Sequence, residues 1–387
     1  MRLKQNSSVK EFLDSYGIIE LGLMAFAAVA FLIQLYYYLG KYGRIPGYRQ
    51  KVNNDASQPG ISIVVIVEND FDYIENVLPK LMAQDYEQFE VVLVNNGSSS
   101  EFSETLNLLS ARHSNLKYTT ITPDPKFTYR RKFALNVGIK ACNYPNIIFT
   151  ETDTTPTSRK WLPLMAKGFT TGDVVIGYCG LEVKPGLANR MMRWGRLMQS
   201  VRYLSSAING KPYRGISRNM GFTSKLYFDN KGYNYLNMSI GDEDLFVSSI
   251  ATAKNTSIVM NRNATTRQAF YGGLSRWFAE RKYYSYGYKY YPDIVRASVF
   301  TELLSRAVFF GSAIALTALQ LPVIWIIAAS AIVLRFFAAY LTMMRICRRL
   351  GEKKLIGVYI FHDLFSPIYE AVLSISRTMR PSKGIWN

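Results

Sequence analysis

The stretch that most limits what this chain can become is "YGIIELGLMAFAAVAFLIQLYYYLG", residues 16–40. It carries one charge, Glu20, near its start, and it is long enough to cross a bilayer as a helix. Tyr36, Tyr37 and Tyr38 close it, as an interfacial aromatic belt would. The apolar run is too long for a cleaved signal peptide, and no small-residue cleavage site stands out. Two further spans are expected over 298–320 and 321–344, parted near Leu321 and Pro322. A fourth apolar segment, 355–377, contains His362, Asp363, Pro367 and Glu370, so it either spans or lies in the interface. A net charge of +18 suits either nucleic acid or an anionic membrane surface. The apolar spans decide for membrane lipids, with no nucleic acid as partner. This is an integral membrane protein.

Lysine and arginine set the orientation. Lys41, Arg44, Arg49 and Lys51 follow the first span, against Arg2, Lys4 and Lys10 before it, and "RICRRLGEKK" (345–354) lies on the same side as the middle region. The expected organisation is an extracytoplasmic tail over 1–15, a transmembrane helix over 16–40 and a linker over 41–60. A cytoplasmic domain over 61–270 follows, then an amphipathic interfacial segment over 271–297, the spans 298–320 and 321–344, and the helix 355–377. Cys142, Cys179 and Cys347 share no metal-binding spacing and suit a reducing compartment.

Between the spans, apolar strands alternate with helical segments. "ISIVVIV" (61–67), "FEVVLVN" (89–95), "NIIFTETD" (146–153) and "DVVIGY" (173–178) read as strands. Segments 73–84, 103–113, 130–142 and 158–168 read as helices. Continuous apolar strands of this kind indicate a parallel α/β sheet covered on both faces. Ligands bind such sheets outside the carboxyl ends of the strands. Those ends are "ENDFD" (68–72), "NNGSSS" (95–100) and "TETDTTP" (150–156), all polar. Polar turns end most strands, but three together on the binding edge point to a site. Residues i and i+2 of a strand share a face, so Glu151 and Asp153 are placed to act together.

These residues resemble the family-2 inverting glycosyltransferases. "ISIVVIVENDFDYIENVLPKLMAQDYEQFEVVLVNNGSSS" is similar to their opening, and "RRKFALNVGIKACNY" to their Lys-x-x-Ala-Leu-Asn-x-Gly-Ile segment. "FTETDTTP" stands at their Asp-x-Asp strand end, and "GDEDLFV" (241–247) at their acidic catalytic-base motif. "SRWFAERKYYS" (275–285) stands where Gln-x-x-Arg-Trp is usual. The resemblance covers roughly 60–285, and the flanking spans match the family's membrane-bound branch.

The resemblance implies a GT-A-type Rossmann-like mixed α/β sheet flanked by transmembrane helices. It implies a UDP- or GDP-sugar donor and a lipid-linked or membrane-surface glycan acceptor, at a bacterial inner membrane with the catalytic domain in the cytoplasm. A nucleoside diphosphate leaving group gains charge as the sugar bond breaks, and Mg2+ or Mn2+ on carboxylates neutralises it. The implied metal ligand is Asp153, aided by Glu151, with Glu68, Asp70, Asn96 and Lys132 completing the donor site. The implied base is Asp244, with Asp242 and Glu243 as alternatives within the motif. Acids at a helix start also favour the helix dipole, which explains one acid better than three. Arg218, Asn219, Trp277, Glu280, Arg281 and Tyr284 are the counterparts of the acceptor and diphosphate groups, and Arg131 and Arg214 are further candidates for phosphate. Arg218 paired to an acidic motif is the plainer alternative.

Three positions depart from the family pattern. Asn96 replaces an acid at the nucleoside end, Glu151 replaces Asp, and "ERKYY" lacks the Arg-Trp ending. A competing expectation is therefore a non-catalytic paralogue that partners another transferase.

Overall fold

The computed structural model describes residues 16–53, 55–122, 130–233, 244–319 and 323–379. Asp242 and Glu243 lie outside the described residues. The longer helices are α1 (Ile18–Leu35), α2 (Ser100–Arg112), α3 (Arg130–Ala141), α4 (Leu187–Ile208), α5 (Leu274–Ser285), α6 (Asp293–Ala318), α7 (Ile324–Arg349) and α8 (Tyr359–Met379).

The strands are β1 (Ile61–Val67), β2 (Phe89–Asn96), β3 (Leu116–Ile121), β4 (Asn146–Phe149), β5 (Thr154–Pro156), β6 (Val174–Ile176), β7 (Cys179–Leu181), β8 (Met220–Thr223), β9 (Thr256–Ile258) and β10 (Thr266–Gln268). Seven form one sheet in the order β3-β2-β1-β4-β8-β6-β9, and β5-β10-β7 form a second. The β3-β2-β1-β4 half is parallel, and β8 runs antiparallel to β4 and to β6. The sheet is thus mixed, the GT-A arrangement expected. Alternate residues of the strands serve opposite faces. Val64, Val92 and Val94 pack with Leu135 and Ile139 of α3. Ile63, Val65 and Leu93 pack with Phe102 and Leu106 of α2 and with Trp161. Burial on both faces is why these strands are apolar without interruption.

Three helices are long and apolar enough to cross a membrane, Ile18–Gly47, Asp293–Ala318 and Ile324–Arg349. α8 is not among them; Asp363 and Ser366 turn inward and are buried. The first helix does not stop at residue 40. It continues through a π-helical stretch, Tyr36–Tyr42, into Arg44–Gly47, because Tyr42 and Ile45 bury in the core that the domain shares with Ala339 and Met343 of α7. Of the three expected belt tyrosines only Tyr36 is exposed. Tyr37 and Tyr38 are buried, and their hydroxyls donate to the Ser298 carbonyl (2.6 Å) and to Asp363 Oδ1 (2.8 Å). The second span starts at Asp293, just after Pro292, and in the segment before it Trp277 and Arg281 are buried. Trp277 of α5 stacks on Tyr369 at 5.8 Å, and Arg281 pairs with Glu370 at 2.9 Å.

A buried polar spine runs through the helices. Arg335 pairs with Asp363 and donates to Gln34 Oε1 at 2.7 Å. Arg306 meets both Glu302 and Asp363. Arg202 of α4 then joins Glu302 (2.9 Å) to Glu370 (3.0 Å). Charges at membrane depth persist only when paired in this manner.

Candidate active site

β1, β2 and β4 end on one edge of the sheet. At the first two, Asn69 sits at φ 49°, accepts from Ser99 N at 2.9 Å through its side chain, and donates its backbone N–H to the Ser98 hydroxyl oxygen at 3.1 Å. Asp70 accepts from Tyr73 N at 3.0 Å, so its carboxylate organises the turn. Asn96 Nδ2 donates to Glu68 Oε2 at 3.2 Å. A carboxylate, Glu68 from the neighbouring strand end, therefore stands beside Asn96.

At the third strand end, Glu151 and Asp153 are bound by guanidiniums. Arg218 donates from Nε to Asp153 Oδ1 and from Nη2 to Oδ2, both at 3.0 Å, and its Nη2 lies 2.6 Å from Glu151 Oε2. Arg131 of α3 reaches Glu151 Oε1 at 2.7 Å, and the Ser217 hydroxyl donates to the same oxygen. Gln268 Nε2 of β10 donates to Asp153 Oδ2 at 2.8 Å, and the Thr154 hydroxyl to Oδ1 at 2.8 Å. Burial alone would raise the Glu151 carboxyl, but Arg218 and Arg131 overcome it and hold Glu151 at about 2. Asp153 is the more open, its side chain 31% exposed against 17% for Glu151. Arg218 Nη1 is buried and has no hydrogen-bond partner. Among the described residues no three His, Cys, Asp or Glu side chains come together as a metal cluster.

Asp244 opens the short helix Asp244–Ile250 and is buried. Its Oδ2 accepts from the Tyr291 hydroxyl, and its Oδ1 from Leu245 N at 2.9 Å. Burial, and then the facing Asp244 charge, push the Tyr291 hydroxyl far above its ordinary value, so it remains a donor. Tyr291 and Arg214 line a cavity of about 510 Å3 that continues along Val299, Leu303 and Leu304 of α6 and Leu373 of α8. Arg202, Arg281 and Glu370 also line it and are paired to one another. Among the described residues Arg214 makes no ion pair and its Nε lacks a partner, and its guanidinium lies 5.7 Å over the Tyr284 ring. Tyr284 lines the cavity and also bears electrostatically on Arg218.

Other expected site residues have structural places. Asn219 is fully buried, accepting from Trp161 Nε1 (2.9 Å) and donating to the Tyr178 and Ala264 carbonyls. Glu280 pairs with Arg196 at 3.1 Å, and Trp277 packs against Gly195. Arg281 and Tyr284 face the cavity. Lys132 is buried. Ser217, Gln268 and Tyr291 were not marked by any sequence pattern; they are single polar residues brought in by tertiary contact.

A mixed sheet with acidic strand ends along its carboxyl edge, joined to membrane-length helices, is a GT-A-type arrangement. Residues 62–224 match the family model described as Glycosyl transferase family 2. The poly-beta-1,6-N-acetyl-D-glucosamine synthases of Staphylococcus aureus strains MSSA476 and MW2 are each 26% identical over 120 residues, 31% of this chain. The matched part spans only 28% of the length of those curated relatives. Among solved structures, the mannosyltransferase PcManGT from Pyrobaculum calidifontis in complex with GDP-Man and Mn2+ superposes with a TM-score of 0.55 at 17% identity, over 90% of this chain and 99% of that one. That likeness shows the fold. Residues 62–224 thus match a family 2 glycosyltransferase model, and the chain has a GT-A-type fold.

Proposed function

We propose that this chain is a membrane-bound, inverting glycosyltransferase that moves a sugar from a UDP- or GDP-sugar to a lipid-linked or membrane-surface glycan acceptor. Its catalytic domain faces the cytoplasm of a bacterial inner membrane. The observation that carries this reading is the cavity of about 510 Å3, which joins Arg214 and Tyr291, next to Asp244, to the apolar flanks of α6 and α8. An acceptor with a polar head and an apolar tail fits that gradient.

On the donor side, Glu68 and Asn96 suit the nucleoside, and Arg131 and Arg218 suit the diphosphate. The partnerless Nη1 of Arg218 is a buried donor that a phosphate oxygen would complete. The residues also fit a divalent cation: Asp153 is a hard oxygen donor, partly open, at the sheet edge. Asp153 would hold Mg2+ or Mn2+, which neutralises charge on the departing diphosphate. Both carboxylates accept on both oxygens; the more exposed Asp153 is the one that would turn to a cation, while Glu151 holds Arg131 and Arg218 in place, with any metal contact secondary.

On the acceptor side, the attacking hydroxyl bonds to the anomeric carbon as the bond to phosphate breaks, and its proton passes to Asp244. Tyr291 holds that carboxylate in place through its hydroxyl. The test is titration of the purified chain in detergent with UDP and GDP, with and without Mn2+, alongside an Asp244→Asn variant. Tighter nucleotide binding with Mn2+, and loss of transfer in Asp244→Asn with donor binding intact, are expected. Nucleotide binding indifferent to Mn2+ removes the metal assignment, and unchanged turnover in Asp244→Asn removes the base. Absence of transfer from any donor in the wild type would favour the non-catalytic paralogue.

A further inference from the structure

A second pocket, of about 380 Å3, opens where the first membrane helix leaves its apolar span. Tyr36, Tyr37 and Lys41 line it from that helix, Asn209 and Lys211 from the end of α4, and Ile294 and Ser298 from the start of α6. Its charged lining is Lys41, Arg202 and Lys211, with no carboxylate. Arg202 is offset by Glu302 and Glu370, whereas Lys41 and Lys211 make no ion pair among the described residues. Lys41 Nζ is steadied by the Ser298 hydroxyl at 2.6 Å and lies 5.4 Å from the Tyr37 ring centre. Beside the pocket, Tyr36, Leu39 and Ile294 are 62%, 56% and 54% exposed, an apolar margin at the end of the span.

We propose that this pocket binds the headgroup of an anionic diacyl phospholipid. Lys41 and Lys211 approach the phosphate from two separate chain segments, Ser298 and Asn209 offer hydrogen bonds, and the acyl chains lie along Tyr36, Leu39 and Ile294. Two ammonium groups in a pocket that no carboxylate lines favour a net negative headgroup over a zwitterionic one at a membrane interface. The pocket is distinct from the proposed acceptor cavity, although Arg202, Tyr213, Val295 and Val299 form a wall common to both.

The test reads lipid retention, not transfer, so it stands or falls apart from the proposed reaction. The full chain in a neutral detergent is titrated with phosphatidylglycerol or phosphatidylcholine, and bound lipid is counted by native mass spectrometry. At about 1 kcal/mol per basic residue near the surface, a preference of roughly 10- to 30-fold for phosphatidylglycerol is expected. Lys41→Ala/Lys211→Ala should lose it, Lys41→Arg/Lys211→Arg should keep it, and Lys80→Ala, on the exposed far domain, should match wild type. Equal retention of the two lipids by the wild type overturns the proposal. So does a preference unchanged in the double alanine variant, or one lost equally in the double arginine variant.

Discussion

Arg218 grips Asp153 with two parallel hydrogen bonds, each of 3.0 Å, while the same Nη2 reaches Glu151 at 2.6 Å. One planar guanidinium thus fixes the spacing of both strand-end carboxylates, a task a lysine ammonium cannot perform. Arg218→Lys is expected to fold yet bind nucleotide about 10- to 100-fold more weakly, from the loss of about 1.5–3 kcal/mol of charge-assisted bonding. Arg218→Ala should also destabilise by about 3–5 kcal/mol, since Glu151 would keep only one cationic partner. Calorimetric nucleotide titration and thermal unfolding in detergent separate the two. A lysine variant with wild-type affinity would show that the paired geometry is irrelevant.

The same cluster gives a pH signature. Glu151 is held at about 2 in the fold against an ordinary 4.5, a depressed value, so its stabilisation is complete above about pH 4.5. It fades as the pH falls through the folded value, and it amounts to on the order of 3 kcal/mol. Melting curves of wild type and Glu151→Gln should therefore lie apart at neutral pH and converge between about pH 4.5 and 2. Curves that stay parallel across that window would contradict the ion-paired state.

Much of this cluster was legible because strands and their ends have local signatures. "ISIVVIV" and "FEVVLVN" became β1 and β2 nearly residue for residue, but the strand expected over 146–153 stops at Phe149, so Glu151 and Asp153 lie in the turn beyond it and Arg218, not a shared strand face, brings them together. The short strands β7 to β10 had no such signature; three or four residues carry no period, and only pairing partners make them strands. Tyr37 and Tyr38 read as interfacial because a tyrosine at a span end usually meets water. Here Asp363 and Ser298 offered protein partners instead. The spacing of Trp277, Glu280 and Arg281 was visible, but not that α4 and α8 would claim all three.

For the base, Tyr291 is the discriminating residue. Its hydroxyl donates to Asp244 and fixes the direction of that carboxylate. Tyr291→Phe should lower turnover about 10-fold, while Asp244→Asn should lose about 100- to 10,000-fold. Donor affinity should be unchanged in both. Wild-type turnover in Tyr291→Phe would mean that this hydrogen bond does not position the base.

The helical region tests differently, because its polar spine is buried among apolar side chains. Asp363 neutralises Arg335 and Arg306 and also accepts from Tyr38, joining α1, α6, α7 and α8. Removing one partner of such a pair strands the other, whereas replacing both with apolar residues can be nearly neutral. Asp363→Ala should therefore destabilise by about 3–5 kcal/mol and expose α8 to limited proteolysis. Asp363→Leu combined with Arg335→Met should recover part of that loss, leaving Arg306 with Glu302 as its remaining partner. Thermal unfolding of the three variants in one detergent reads the result. If the double variant is no more stable than Asp363→Ala, the spine acts through its hydrogen bonds and packing rather than through charge balance.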